Sequence, residues 1–181
     1  MGRQGATAQT QEIVEDIPAA KMWVTSVRIG QFLIATTGLS AQLLYRYNFN
    51  SEVRYLTAVQ SVYTTEDELF DDPYSYKGKE FSVSLTQLFP GGVQGTLSYT
   101  VTNKFYPGHL ALDLDGKAVD GSYRSDKLQY FYTGLEKSFS IGHVFSSQTI
   151  FLNFYRVVNR SNDLYYTYRR SLFSAGLTLN Y

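Results

Sequence analysis

Strict two-residue alternation of apolar and small polar residues recurs along this chain. Between Phe81 and Phe89, Phe81, Val83, Leu85, Gln87 and Phe89 alternate with Ser82, Ser84, Thr86 and Leu88. After Pro90-Gly91-Gly92 the pattern resumes, with Val93, Gly95, Leu97, Tyr99 and Val101 set against Gln94, Thr96, Ser98, Thr100 and Thr102. Leu39 to Tyr47 and Phe173 to Tyr181 repeat it. A helix would scatter the two sets around its axis, whereas a strand places them on opposite faces. Marking strands between turn signals predicts about eight: 21–36, 39–47, 52–64, 79–89, 93–105, 126–138, 144–157 and 164–181. The sixth is ambiguous, because Phe131, Thr133 and Leu135 compete with Leu128, Tyr130 and Tyr132 for its apolar face.

Connections sort into two kinds. Asn48-Phe49-Asn50-Ser51, Pro90-Gly91-Gly92 and Ser140-Ile141-Gly142-His143 read as short turns, while 66–77, 106–125 and 159–163 read as longer polar loops. The Thr37-Gly38 turn is the exception, short but on the loop side. Residues 1–20 are small and polar with an acidic cluster, and read as a tail or linker. No cationic start followed by an apolar run opens the chain, so any export signal is expected to have been removed. Two stretches lack charge, 29–45 and 81–103, but Gln, Gly, Ser, Thr and Pro interrupt both, so neither suits a spanning helix.

Composition narrows the function classes. Sixteen Lys+Arg balance sixteen Asp+Glu, so there is no basic excess for nucleic acid. The chain has no Cys, which removes disulfides, thiolate zinc sites and cysteine nucleophiles. With 16 Tyr, 12 Phe and one Trp among 181 residues, it is rich in side chains that suit half-wet interfaces.

Alternation alone does not say which face is inside. A soluble barrel buries its apolar face, and a membrane barrel turns that face to lipid. Here the second face is mostly Ser, Thr, Gly, Gln and Asn with a few charges of both signs: Arg28, Arg46, Glu52, Arg54, Glu80, Lys104, Glu136 and Arg170. A soluble exterior would be richer in Lys and Glu. Aromatic residues gather at strand ends. Tyr63, Tyr74, Tyr76, Phe105, Tyr106, Tyr123, Tyr155, Tyr165, Tyr166 and Tyr168 fall on the long-loop side, and Trp23, Tyr47, Phe49, Phe89, Phe139, Phe145 and Tyr181 on the short-turn side. The expected fold is an all-β, transmembrane, antiparallel up-and-down barrel over 21–181. An even number of strands would put both termini on the short-turn side.

The last eight residues, Ser174-Ala175-Gly176-Leu177-Thr178-Leu179-Asn180-Tyr181, carry a polar residue, a Gly two positions later, an apolar residue and a terminal aromatic. This resembles the C-terminal β-signal of bacterial outer-membrane β-barrel proteins, with Ser174, Gly176, Leu179 and Tyr181 at the motif positions. The resemblance implies a bacterial outer-membrane location with periplasmic termini and surrounding lipid and lipopolysaccharide. It also implies recognition by the barrel-assembly machinery during insertion. It names an architecture and no activity.

Few residues suit chemistry. His143 reads as a turn residue; His109, Asp120 and Ser122 share one long loop, but no spacing matches a hydrolase motif. Asp113-Leu114-Asp115-Gly116 starts like a calcium loop and lacks the later ligands in register. The acidic residues Glu66, Asp67, Glu68, Asp71 and Asp72 read as a solvated loop tip. No enzyme, cofactor or metal is therefore expected. An eight-stranded barrel is filled by its own side chains, and the interior charges would plug it. The expectation is a structural anchor or subunit that engages a protein partner in a larger envelope complex, through its loops or periplasmic tail. The alternatives are a narrow transporter of small or apolar solutes and a lipid-modifying outer-membrane enzyme.

Overall fold

A computed structural model describes residues 21–49, 76–140 and 147–180. They form seven antiparallel strands: β1 (Met22–Ile34), β2 (Thr37–Asn48), β3 (Lys77–Phe89), β4 (Val93–Leu112), β5 (Ala118–Phe139), β6 (Ser147–Ser161) and β7 (Tyr168–Asn180). Sheet order follows chain order, so each strand pairs with its sequence neighbours in one meander. The one helical piece among the described residues is a 3-10 turn at Leu164–Tyr166, and no helix among them is long and apolar enough to cross a membrane.

Three expectations change. The segment 52–64 lies outside the described residues, and the place between β2 and β3 is taken by direct pairing, from Thr37↔Gln87 to Arg46↔Gly78. The first tight turn sits at Ala35-Thr36, two residues earlier than predicted, with Ile34 opposite Thr37. It therefore shares an end with Pro90-Gly91-Gly92 and with the β5–β6 connection, so the short-turn exception disappears. The β4–β5 hairpin also runs on as strand to Leu112 and from Ala118, where the polar run 106–125 had suggested loop. Register shifts between Tyr106 and Leu112 absorb Pro107, which has no amide to give the ladder.

With seven strands described, β1 begins at the end that holds the longer connections and β7 finishes at the tight-turn end. This relocates part of the aromatic set. Trp23, Tyr47 and Phe49 stand at the loop end, with Trp23 opposite Tyr47 and its ring against Tyr45. Tyr155 leaves that belt for mid-sheet, where its ring packs against Tyr130 and Tyr132.

Register also settles the ambiguous strand. Phe131, Thr133 and Leu135 pair with Tyr99, Leu97 and Gly95 on the apolar face, leaving Tyr130 and Tyr132 on the polar one. One paired row, Leu39–Leu85–Leu97–Thr133–Phe154–Phe173, crosses six strands almost without a polar atom. Large side chains of the apolar side are open to the surroundings: Ile29 is 70% exposed, Phe173 64% and Leu43 61%. Among the described residues the buried hydrophobic side chains are Tyr106 and Ala111, while Asn48, Thr102, Lys104, Arg124, Asp126, Gln148, Asn159 and Asp163 are buried and polar or charged. Burial is inverted relative to a water-soluble domain.

Three glycines are required, two by backbone conformation and one by a close neighbour. Gly91 and Gly92 both take positive φ, 81° and 75°, which the β3–β4 turn requires and other residues resist. Gly176, opposite Phe151, has no such strain; a Cβ there would stand 2.5 Å from the Phe151 ring. Gly176→Ala is therefore expected to cost about 1–3 kcal/mol by overpacking, read as a lower unfolding midpoint. Phe151→Leu should recover part of that loss.

Candidate functional site

The best-formed side-chain cluster lies on the polar face at the loop end, where β4, β5, β6 and the β6–β7 connection meet. Position in the ladder assembles it. Lys104 stands opposite Asp126, Tyr106 opposite Arg124, and Leu128 opposite Asn159. Arg124 and Asp126 are two residues apart on β5, so they point the same way, and both are almost wholly buried. Arg124 Nε donates to Asp126 Oδ1 at 3.0 Å, and its Nη2 donates to Oδ2. The guanidinium is held between two rings, 4.1 Å from the Tyr106 centroid and 3.2 Å from that of Tyr166. A planar cation suits this slot: it stacks on both faces and offers its edge to the carboxylate.

The connection after β6 roofs this end. Asn162 Oδ1 accepts from Ser125 N at 2.8 Å, and its Nδ2 donates to Tyr123 O at 3.0 Å. Asp163, buried, accepts from Leu112 N through Oδ2 and from Tyr165 N through Oδ1, both at 3.1 Å. Tyr165 Oη donates to Leu114 O, and Asn159 Nδ2 to Tyr166 O. One carboxylate thus ties the β4–β5 hairpin to the β6–β7 turn. Asp163→Ala leaves two backbone amides unpaired and is expected to cost about 1–3 kcal/mol. Amide exchange should speed up at Leu112 and Tyr165 first, with the mid-sheet amides unchanged.

Beside the ion pair opens a cavity of ≈ 450 Å³ whose lining includes Lys104, Arg124, Asp126, Asn159, Tyr166 and Arg170. Asn159 is 5% exposed, and among the described residues its Oδ1 has no hydrogen-bond partner. The described residues hold no cluster of His, Cys, Asp and Glu fit to bind a metal ion.

Of the charges named from sequence, Arg28, Arg46, Glu80, Lys104, Glu136 and Arg170 all share the polar face, as the chain of cross-strand pairs requires. Glu52 and Arg54 lie outside the described residues. Arg46 and Lys104 lie over the Tyr76 ring, each 4.9 Å from its centroid, and Glu80 accepts from the Thr102 hydroxyl at 3.0 Å. Sequence reading missed the pair: Asp126 opened the predicted strand 126–138, but Arg124 fell in the run 106–125 that looked like loop, and their i, i+2 spacing signals a shared face only once one strand covers both. Ser174 and Gly176 lie on the polar face of β7 and Leu179 on the other, while Tyr181 and His143 lie outside the described residues.

The hairpin residues with a chemical reading have structural uses. His109 packs edge-on against the Tyr106 ring. The Ser122 hydroxyl donates to Val119 O. Asp113 Oδ1 accepts from the amides of Asp115 and Lys117 at 2.9 Å, so the calcium-like stretch is a side-chain-capped turn. Comparison with protein-family models, with curated proteins and with solved structures finds no match for this chain.

Proposed function

We propose that this chain is the wall of an outer-membrane β-barrel, a non-enzymatic anchor or subunit that presents its roofed loop end to a protein partner. The observation that carries the reading is the inverted burial: Asn48, Lys104, Arg124, Asp126, Gln148 and Asn159 are covered, while Ile29, Leu43, Leu97, Ile150, Phe173 and Leu177 on the apolar sheet face are exposed. In water each such side chain forgoes roughly 1.5–3 kcal/mol of burial, and soluble monomers seldom expose a patch this broad. Charge spacing along β5 agrees, with Arg156 of β6, opposite Phe131, as a cation inside the span. Along β5, Lys127 and Lys137 bracket Gln129, Phe131, Thr133 and Leu135. Ten residues at ~3.4 Å span about 34 Å, or about 26 Å for a strand tilted near 40°, close to the ~25 Å apolar band of such barrels.

The interior is read as plugged. Tyr130, Tyr132 and Tyr155 pack together on the polar face, and the Tyr132 hydroxyl donates to Asn153 Oδ1 at 3.0 Å. A second reading, passage or binding of a small solute, draws on the ≈ 450 Å³ cavity beside Arg124. Conductance above background in planar bilayers would favour it over the plugged form.

The membrane reading is tested on full-length chain recovered from the membrane fraction and run by electrophoresis unboiled and boiled. A compact band that shifts on boiling is expected. A monodisperse protein in detergent-free buffer sinks the reading. Tyr181→Ser should slow assembly in cells and leave refolding in detergent nearly intact, if the terminal motif serves the assembly machinery.

A further inference from the structure

Charge is segregated across the two faces in a way that anchoring alone does not need. Glu80, Asp126 and Glu136, the carboxylates in the paired strand rows, all lie on the polar face. The apolar face holds the cations Lys79, Lys127, Arg160 and Arg169 at its loop end, with Arg156 further in, opposite Phe131. Lys127 stands directly opposite Arg160, a like-charge cross-strand pair that destabilises a sheet unless an anion joins it. No carboxylate from the paired rows is placed on this face to do so. Arg156, Arg160 and Arg169, all exposed, line a cleft of ≈ 230 Å³ with Tyr99, Gln129 and Phe131. Gln129 donates to the Tyr99 hydroxyl at 2.6 Å, which gives one wall a fixed shape. Bare apolar surface begins at once toward mid-sheet, where the Phe131 and Phe154 rings are in contact and Phe154 pairs with Phe173.

We propose that this cleft binds the phosphate of an anionic lipid headgroup, with the lipid's acyl chains lying along Phe131, Phe154 and Phe173. Three guanidiniums around one polar-walled cleft match the tetrahedral, multiply accepting oxygens of a phosphate. The flanking aromatic strip supplies the apolar contact that a free ion would not use. Arginine on a lipid-facing surface costs least near the interface, about 0–1 kcal/mol. Arg160 and Arg169 stand at that edge of the apolar band, while Arg156, opposite Phe131 and one row nearer mid-sheet, lines the same cleft and keeps its guanidinium toward it. This assignment rests on the membrane reading above.

The experiment is native mass spectrometry of the full chain in detergent micelles, titrated with phosphatidic acid or with phosphatidylcholine of the same acyl chains. Retention of phosphatidic acid is expected at about tenfold lower lipid concentration than phosphatidylcholine. The combined Arg156→Gln, Arg160→Gln and Arg169→Gln variant should lose that preference, Arg160→Gln alone should lose part of it, and Lys137→Gln at the opposite edge should keep it. Equal retention of the two lipids, or an unchanged preference in both the triple and the single variant, overturns the proposal. Full displacement by millimolar inorganic phosphate overturns the lipid assignment in favour of a free-phosphate site. A chain that partitions into micelles without headgroup preference loses only this inference. A chain that stays out of micelles loses the membrane reading as well.

Discussion

Leu97→Arg is expected to cost about 2–4 kcal/mol when the protein is folded in a bilayer, and almost nothing if the same sheet stands in water. Leu97 is 44% exposed and sits at the centre of the apolar row that runs from Leu39 to Phe173. Substitution at a position that open to water normally changes stability by no more than about 0.5 kcal/mol. In hydrocarbon the guanidinium must lose its water or drag some inward, with no carboxylate in the paired rows on that side to meet it. The two environments therefore differ several-fold in predicted effect at one residue. Urea unfolding from phosphatidylcholine vesicles, compared with wild type, reads it. A midpoint that does not move would mean that Leu97 faces water.

Asp126→Ala should destabilise the protein by about 3–5 kcal/mol, because it strands a buried guanidinium. Arg124 has little freedom to escape, being held between Tyr106 and Tyr166. Replacing both partners, Arg124→Met with Asp126→Leu, should bring stability back close to wild type, since the desolvation cost of both ions disappears with their attraction. Methionine also keeps favourable contact with the two rings. The quantity to measure is the coupling energy of the double-mutant cycle, by equilibrium unfolding. If the single losses simply add, the pair is not a unit, and the loop end must be held chiefly by Asn162 and Asp163. Amide exchange at Leu112 and Tyr165 separates the two, since Asp163 holds those amides directly.

The sheet's edges bear on assembly. With seven strands described, β1 and β7 run in the same direction, so antiparallel closure between them needs an odd number of further strands. A heat-shift result indicating a closed barrel would thus demand a contribution from outside the seven, or a parallel seam.

Much of this was legible in the chain before folding. Alternation from Phe81 to Thr102 assigned each residue to a face, and the register agrees across every strand pair, down to the six charges Arg28, Arg46, Glu80, Lys104, Glu136 and Arg170 on one side. Facing is a local property: in a strand it follows from the two-residue period, and each residue carries it wherever the strand goes. Pairing is not local. Only the tertiary structure placed Lys77–Phe89 against β2, and this moved Trp23, Tyr47 and Phe49 to the loop end and removed the anomaly of the first turn. Only it seated Arg124 between rings drawn from β4 and from the turn after β6, 18 residues before it and 42 after it in sequence. Such a slot depends on strands meeting in one register and on a connection folding back over them, which no periodicity along the chain encodes.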